Sequence, residues 1–430
     1  MKQILACALL LSLPAFAQES EQWSRFRGPN GQGISTAIGL PTEWSATENI
    51  AWKTPIPGGD SWSSPIVWND HIFLTTTTDG GKECRIIALD RETGGIKWNK
   101  LVFTQELKTK HDRNSHATPT PVTDGQRVYA VFANGHFAAV DFEGNVIWTN
   151  TDLNFYSQHG FGASPMIYGD LLITPINPSV NPNDNPNNEP VRLGWQIPWD
   201  RSYLWALDKN TGKEKWKGMR GVSRISHSTP VVIQVNGKDQ ILSAAGDVVQ
   251  GFDPATGNRI WSVTSSGEPS VPTPAIGEGM VFMATSPTSP ILGVKTDGTG
   301  DCTESHIVWQ QRIRDVPMTS SFLYVKPCLY AAADSGNFLA FDAATGDTLW
   351  QLRIRGGKPD AAPLYADGKI YITTDNGATV VLKLNDDPKQ PAEVLAVNEL
   401  GDDQRVQASL AVAGKRLLIR TEKELLCIGN

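Results

Sequence analysis

The 430-residue chain lacks several features on which common functions depend. Its 38 Lys and Arg residues are outnumbered by 45 Asp and Glu residues, so it has no basic excess to neutralise nucleic-acid phosphates. None of its five cysteines lies beside another or at the spacing of a metal site, and no CxxCH haem motif occurs. No Gly-x-Ser-x-Gly elbow or HExxH motif occurs either. We therefore expect no nucleic-acid partner and no metal site.

Long apolar runs are also missing, apart from one at the start of the chain. Met1-Lys2 precedes the apolar run Ile4–Leu13, and Ala15-Phe16-Ala17 follows it. This order is typical of a secretory signal peptide over residues 1–17, cut after Ala17, and the run is too short to span a bilayer. Cys7 lies inside the apolar core, which disfavours lipidation. We expect a soluble, exported protein without a transmembrane segment, either periplasmic or secreted.

One ten-residue phrase recurs along the chain. FDAATGDTLW at Phe341–Trp350 returns as FDPATGNRIW at Phe252–Trp261, and as variants at Ala206–Trp216, Ala88–Trp98 and, more loosely, Val140–Trp148. Asp at the turn and Gly with a positive φ predict two strands joined by a tight turn. Because two further strands precede each phrase, the repeat predicts an all-β chain of four-stranded units.

The number of units predicts an eight-bladed β-propeller, with seven blades as the alternative. First strands begin near Ser64, Thr118, Ser164, Thr229, Thr273, Ser320, Ala362 and Ala408. The eighth unit has only three strands, and Asn49–Ile56, which carries Trp52, resembles the missing last strand. We expect this N-terminal strand to close the last blade, because closure removes an unpaired edge. Residues 18–47 are then an N-terminal extension, and residues 48–430 form the propeller.

The phrase ALDxxTGxxxW, following SSPxV and DGxVYxxT, resembles the PQQ-like (pyrroloquinoline quinone) repeat. Such repeats occur in quinoprotein alcohol dehydrogenases and in BamB-like outer-membrane-protein assembly factors, and the resemblance runs from about Ile50 to the end. The opening WSRFRGPNGQGIS is similar to that of large exported bacterial PQQ-like-repeat proteins. The resemblance implies a propeller, with PQQ as the candidate cofactor. PQQ-dependent dehydrogenases carry adjacent cysteines and calcium-binding carboxylates, which this sequence does not show.

Chemistry in a propeller is expected where the loops that enter the first strands surround the channel mouth. Three residues before the Pro of SSP, or its equivalent, stand Trp62, His116, Gly162, His227, Val271, Thr319, Asp360 and Gln407. Trp62, His116, His227, Asp360 and Gln407 are our ligand-binding candidates in this layer. Arg224 and Arg314, each on a loop that enters this face, are candidates for binding a carboxylate or another anion, and two further loops of the same face carry Arg113 and Arg405. A solvated rim is the alternative.

Blade 3 carries the largest insertion, Pro175–Ser202, whose Asn-Pro stretch is followed by GWQIPW. Trp195 and Trp199 in it are candidates for docking a partner, as a lid or an arm, and packing on a neighbouring blade is the alternative. Cys302 and Cys328 are expected on loops of neighbouring blades at one face, which predicts a disulfide between them.

Together these observations predict an exported, non-catalytic binding or scaffold protein. A protein partner or a small-molecule ligand is expected on the face of the channel mouth. The alternatives are a PQQ-dependent dehydrogenase with an atypical site and a BamB-like assembly factor.

Overall fold

The computed structural model describes residues 22–268, 271–284 and 290–429, and these form eight blades around a central channel. Each blade is a sheet of four antiparallel strands, and blade 4 gains a short fifth strand that pairs in parallel. The predicted eight-bladed propeller is confirmed, and the alternative of seven blades is wrong. The expected signal peptide, residues 1–17, lies outside the described residues.

The strands of the first four blades follow the order of the chain, from the channel outwards. They are Ile66–Trp68, His71–Thr78, Glu83–Asp90 and Ile96–Thr104 in blade 1; Val122–Thr123, Arg127–Val131, Phe137–Asp141 and Val146–Asn150 in blade 2; Met166–Tyr168, Leu171–Ile176, Tyr203–Asp208 and Glu214–Met219 in blade 3; Val231–Val235, Lys238–Ala244, Val248–Phe252 and Arg259–Thr264 in blade 4.

The remaining blades keep the same order until the chain ends. Their strands are Ala275–Gly277, Met280–Met283, Ile291–Lys295 and Ile307–Gln311 in blade 5; Leu323–Val325, Cys328–Ala332, Asn337–Asp342 and Thr348–Arg353 in blade 6; Leu364–Ala366, Lys369–Thr373, Thr379–Lys383 and Glu393–Asn398 in blade 7; Ala411–Ala413, Arg416–Arg420 and Glu424–Ile428 in blade 8. Gly300–Asp301 is the fifth strand of blade 4, and the helical segments are Asp79–Gly81 and Thr303–His306.

The N-terminal strand Ile50–Pro55 completes blade 8. It pairs antiparallel with Glu424–Ile428, with Trp52 opposite Cys427 and Thr54 opposite Leu425. The predicted closure is confirmed: the two ends of the chain meet in one sheet, so blade 8 has no open edge on that side.

Tryptophans at the ends of the blades dock onto the turns of the next blade. The indole Nε1 donates to a turn carbonyl over 2.7–3.2 Å in six blades, from Trp52, Trp98, Trp148, Trp216, Trp309 and Trp350 to Arg91, Phe142, Lys209, Pro254, Ala343 and Pro388. In five of these turns the indole lies against a glycine, at Gly94, Gly144, Gly212, Gly257 and Gly346. A Cβ there would approach the indole to 2.4–2.9 Å, so the Gly of the repeated phrase, which follows Thr in four of these five turns, is a docking surface for the neighbouring Trp.

The two departures from this pattern have structural causes. Blade 5 replaces the tight turn by a longer connection, and Trp261 of blade 4 instead donates to Gln240 Oε1 at 2.8 Å. Blade 7 has Ala396 at the position of the Trp, opposite Val381. The next blade is blade 8, whose last two strands come from opposite ends of the chain, so no turn exists there to receive an indole.

Replacing Gly257 by Ala tests this docking. The new Cβ would lie 2.4 Å from the Trp216 ring at a φ of +72°, whereas at Gly237 (φ +77°) no atom lies within 4 Å. Gly237→Ala is therefore expected to cost only the backbone strain of about 1–2 kcal/mol. Gly257→Ala should lose about 1–3 kcal/mol more, because a packed interface must shift. Denaturant unfolding measures both, and equal losses would contradict the docking.

Candidate functional site

A layer of side-chain hydroxyls holds the first strands together around the channel. At six of the eight junctions, a backbone N–H of one blade donates to a Ser or Thr oxygen of the next blade over 2.9–3.0 Å. We call the residues that supply these oxygens the hydroxyl layer: Ser64, Thr120, Ser164, Thr229, Ser321 and Ser409. Because this layer bonds to neighbouring blades, the sheets begin beyond it, at Ile66 rather than at the predicted Ser64 in blade 1.

The N-terminal segment 22–35 crosses the channel. It is hydrogen-bonded to six blades, through Val67, Thr123, Pro230, Ile276, Phe322 and Tyr365. All six residues lie beyond the hydroxyl layer along their first strands. The segment therefore closes the end of the channel away from the mouth, and Phe26 lines the cavity from that side.

The glycines of RGPNGQG give this segment its path. Gly28 has a φ of +79°, and a Cβ on it would approach the Trp23 ring to 2.7 Å; Gly33 has a φ of +73° and lies against the Pro363 carbonyl. Sequence reasoning treated residues 18–47 as an extension and missed this role. Three closely spaced glycines among arginines and aromatics indicated an ordered, packed segment. The local sequence did not indicate which residues the segment packs against.

Two arginines of the crossing segment are buried as cations. Arg25 donates to the Pro230 carbonyl at 2.8 Å, and Arg27 donates to the carbonyls of Gln32 at 2.8 Å and Phe322 at 2.5 Å. Burial lowers the pKa of Arg25 to about 10 and that of Arg27 to about 9, so both stay protonated at neutral pH. Neither has an ion-pair partner within the part of the chain that the structure describes, and their hydrogen-bond acceptors are backbone carbonyls.

Above the hydroxyl layer lies a cavity of about 130 Å³. Four of the predicted ligand-binding residues line it: Trp62, His227, Asp360 and Gln407. The sequence alignment of first strands therefore places most of this layer at the correct depth.

His116 does not line the cavity, so its predicted place in this layer is wrong, and its role in binding a ligand stays untested. Blade 2 contains two Thr-Pro pairs, and its hydroxyl-layer residue is Thr120, before the second proline. The alignment used the first proline and so shifted this blade by two residues. Thr118 takes the mouth position, while the His116 ring lies against Gly81 of blade 1.

Arg224 and Arg314 do not line this cavity, and their predicted role in binding an anion stays a prediction. Arg224 borders a separate surface pocket of about 560 Å³, where its backbone N–H donates to Asp247 and its side chain to the Gly267 carbonyl. Arg314 is exposed on its loop. Arg113 lines the cavity instead, and the guanidinium of Arg405 stacks on Trp62 at 4.8 Å from the ring centroid.

Arg113 reaches across the channel mouth. It belongs to the loop between blades 1 and 2, and its Nη1 lies 3.6 Å from Asp334 Oδ2 on blade 6, at the opposite side of the ring. Lys358 Nζ lies 2.7 Å from both Asp334 Oδ2 and Asp360 Oδ1, and Thr319 donates to the same Asp360 oxygen at 3.0 Å. The cavity thus has Phe26 as its floor and Arg113 as part of its roof.

Three histidines follow one another from the rim into the cavity wall. The ring centroids of His111 and His159 are 5.8 Å apart, and those of His159 and His227 are 6.1 Å apart. Burial lowers the pKa of His227 to about 3, with smaller contributions from His159 and His111, so its imidazole is neutral at pH 7. Among the described residues, no group of three His, Cys, Asp or Glu side chains is arranged to hold a metal ion.

The two tryptophans of the blade 3 insertion have different environments. Trp195 is half-buried, and its ring packs edge-on against His159 with the centroids 5.5 Å apart, so it stays a docking candidate beside the mouth. Trp199 is buried, exchanges two backbone hydrogen bonds of 3.1 Å with Ser223, and is covered by Arg201. The alternative of packing on the propeller holds for Trp199, and its burial contradicts the prediction that it is free to dock a partner.

The predicted Cys302–Cys328 disulfide is absent, since both thiols are free and buried. Cys302 packs with Val263 and Val281 in the apolar cluster between blades 4 and 5. Cys328 begins a strand, rather than lying in the turn before it, and packs with Tyr330 in the cluster between blades 6 and 7. The sequence placed both residues at one face, but their side chains enter interfaces on opposite sides of blades 5 and 6.

A known protein family matches the chain over most of this architecture. The family described as "Outer membrane protein assembly factor BamB" matches residues 36–175, 199–386 and 301–428. The chain belongs to this family. The predicted relationship to PQQ-like repeat propellers is therefore confirmed. No curated protein sequence matches the chain significantly.

Solved structures similar to this family member show the same fold at low sequence identity. BamB from Moraxella catarrhalis has a TM-score of 0.57 at 16% identity, over 89% of this chain and 97% of that one. The computationally designed Ika8 protein has a TM-score of 0.58 at 10% identity, over 87% and 98% of the two chains. Quinohemoprotein alcohol dehydrogenase from Comamonas testosteroni has a TM-score of 0.45 at 13% identity, over 85% and 78%.

The cavity does not fit PQQ, the cofactor that the resemblance to PQQ-like repeats implies. A cavity of about 130 Å³ is slightly smaller than the roughly 150 Å³ cavity that holds one benzene, so three fused rings exceed it. Asp360 is the one carboxylate among the described residues of its wall, and it is already bonded to Lys358 and Thr319. The residues present therefore do not fit a quinone with its calcium ion.

The neutral His227 predicts a loss of stability in acid. The unfolded chain binds a proton near pH 6.5 and the folded chain only near pH 3, so stability is full above about pH 6.5 and falls as the pH drops towards 3. By pH 5 the loss from this residue should be about 2 kcal/mol. His227→Gln should reduce the difference between unfolding midpoints at pH 7 and pH 5. An unchanged difference would show that His227 is not held neutral.

Proposed function

We propose that the chain is an exported, non-catalytic binding or scaffold propeller whose ligand or partner docks on the face of the channel mouth. The observation that carries this proposal is the crossing of the channel by segment 22–35, which leaves the mouth as the accessible end. The residues that converge at the mouth differ from blade to blade and include Trp62, His227 and Asp360, whereas the six contacts at the closed end are made to backbone atoms of the blades.

The rim offers groups suited to holding a partner. Arg113 and Arg405 present guanidinium groups at the mouth, and Trp195 lies half-buried beside it. Exposed aromatic and Arg side chains over a rigid scaffold are typical of binding surfaces. Met318, which is 43% exposed, lies on the same rim, where its N–H donates to Asp334.

Assembly of outer-membrane proteins is the specific form of this role that the family description favours. No helix among the described residues is long and apolar enough to cross a membrane. The dehydrogenase alternative has less support, because the cavity does not fit PQQ.

Photo-crosslinking tests which face docks a partner. A photoreactive amino acid at Met318 is expected to give a discrete adduct in intact cells. The matched control is the same group at Asp170, whose side chain is 81% exposed in the turn after the first strand of blade 3, at the opposite face. Adducts at Asp170 and none at Met318 would contradict the proposal, as would none at either position.

Export is tested at the N-terminus. The purified protein from the native host is expected to begin at Gln18, with the mass of an unmodified chain, because Ala17 ends the predicted signal peptide. N-terminal sequencing and intact mass check both. A chain that retains Met1 and fractionates with the cytoplasm would refute export.

A further inference from the structure

The hydroxyl layer has unused donors. The oxygens of Ser64, Thr120, Ser164, Thr229, Ser321 and Ser409 each accept one backbone N–H from the preceding blade. A hydroxyl also carries one hydrogen to donate. Within the described chain none of these six hydrogens has an acceptor, so each is free for a group inside the cavity.

These donors surround one small space. All six residues line the cavity of about 130 Å³, and they come from blades 1, 2, 3, 4, 6 and 8. Their side chains are fixed, because each oxygen is already held by the N–H of a neighbouring blade. A ring of fixed donors around an axis is complementary to a compact group with acceptors on all sides.

The described charged groups near this space that lack an ion-pair partner are all positive. Asp360 on the wall is bonded to Lys358 and Thr319, and His227 is neutral. Below Phe26, Arg25 and Arg27 are buried cations without an ion-pair partner among the residues described. A buried charge without a counter-charge is unfavourable, and its field is weakly screened in a protein interior. An anion in the cavity would lower this cost.

We propose that the cavity between Phe26 and Arg113 binds one small oxyanion, of the size of phosphate, sulfate or a short carboxylate. The ligand accepts hydrogen bonds from the hydroxyl layer and is favoured by the charge of Arg25 and Arg27. This inference deepens the proposed binding role of the mouth face, on which it rests, by naming the chemical class of ligand.

Access to the cavity passes Arg113. Its guanidinium lines the cavity while it lies 3.6 Å from Asp334, and its side chain is 47% exposed. A long, partly exposed ion pair of this kind is weak, so an entering anion competes readily with the carboxylate for the arginine. Arg113 therefore acts as both roof and ligand in the occupied state.

Ala362 offers a matched pair of variants. It lines the cavity at the one position of blade 7 that would belong to the hydroxyl layer, and its side chain makes no bond to a neighbour. Ala362→Leu should fill the space and abolish binding. Ala362→Ser adds a seventh hydroxyl within reach of blade 6, so it should bind at least as tightly as the natural protein.

The experiment is calorimetric titration of the mature protein with inorganic phosphate, sulfate and acetate, at fixed ionic strength with chloride as the background anion. We expect saturable binding near one equivalent for at least one of these anions, which also identifies its source. Ala362→Leu should weaken it by more than about 30-fold and Arg113→Met by about 10-fold, the usual range for one charge-assisted hydrogen bond. Circular dichroism and unfolding midpoints confirm that each variant is folded.

Absence of saturable binding for all three anions at tens of millimolar overturns the inference, as does an unchanged affinity in folded Ala362→Leu. These results are separable from the proposed partner role. Adducts at Met318 with no anion binding would remove the oxyanion site alone, whereas anion binding without adducts would leave the site and remove the partner.

Discussion

The hydrogen bond from a backbone N–H of one blade to a hydroxyl of the next is the interaction on which the centre of the molecule depends. It draws the first strands together above the sheets and so sets the width of the channel. Because one hydroxyl both accepts from a neighbour and keeps a hydrogen, the same atoms close the ring and present donors to its axis. The contact that makes the architecture also defines the chemistry of the cavity, without any residue reserved for that purpose.

The outer part of the propeller is also held together by contacts between neighbouring blades. Each Trp is placed by the turn of the following blade, and where no turn exists, at blade 8, the Trp is replaced by Ala396. A repeat protein of this kind is stabilised by nearest-neighbour interfaces. The repeated residues of a blade are therefore those that contact its neighbour. Where one blade departs from the pattern, the residue that packs on it from the preceding blade changes its contact, as Trp261 does when it donates to Gln240.

The fold could be predicted because its signals are local and repeated: the turn, the strand lengths and the Trp all recur within one unit. The crossing segment could not, because Arg27 meets the carbonyl of Phe322, 295 residues away, and carbonyls leave no pattern in a sequence. His116 was misplaced because two Thr-Pro pairs offer two registers, and only the contact with Ser164 decides between them. The prediction of the disulfide was wrong because spacing along the chain does not reveal which interface between blades a side chain enters.

The crossing segment and the strand that completes blade 8 both come from the first 34 described residues. They are made early during synthesis, yet their partners include Tyr365 and Glu424–Ile428, which are made much later. Trp23 and Ser24 can pair with Val67 and Thr123 early, but the strand Ile50–Pro55 has no partner until almost the whole chain exists. Blades 1 to 7 can form before blade 8, which is completed only when Glu424–Ile428 is available to pair with Ile50–Pro55. Any truncation near the C-terminus leaves two defects, an open blade and an N-terminal strand without its partner.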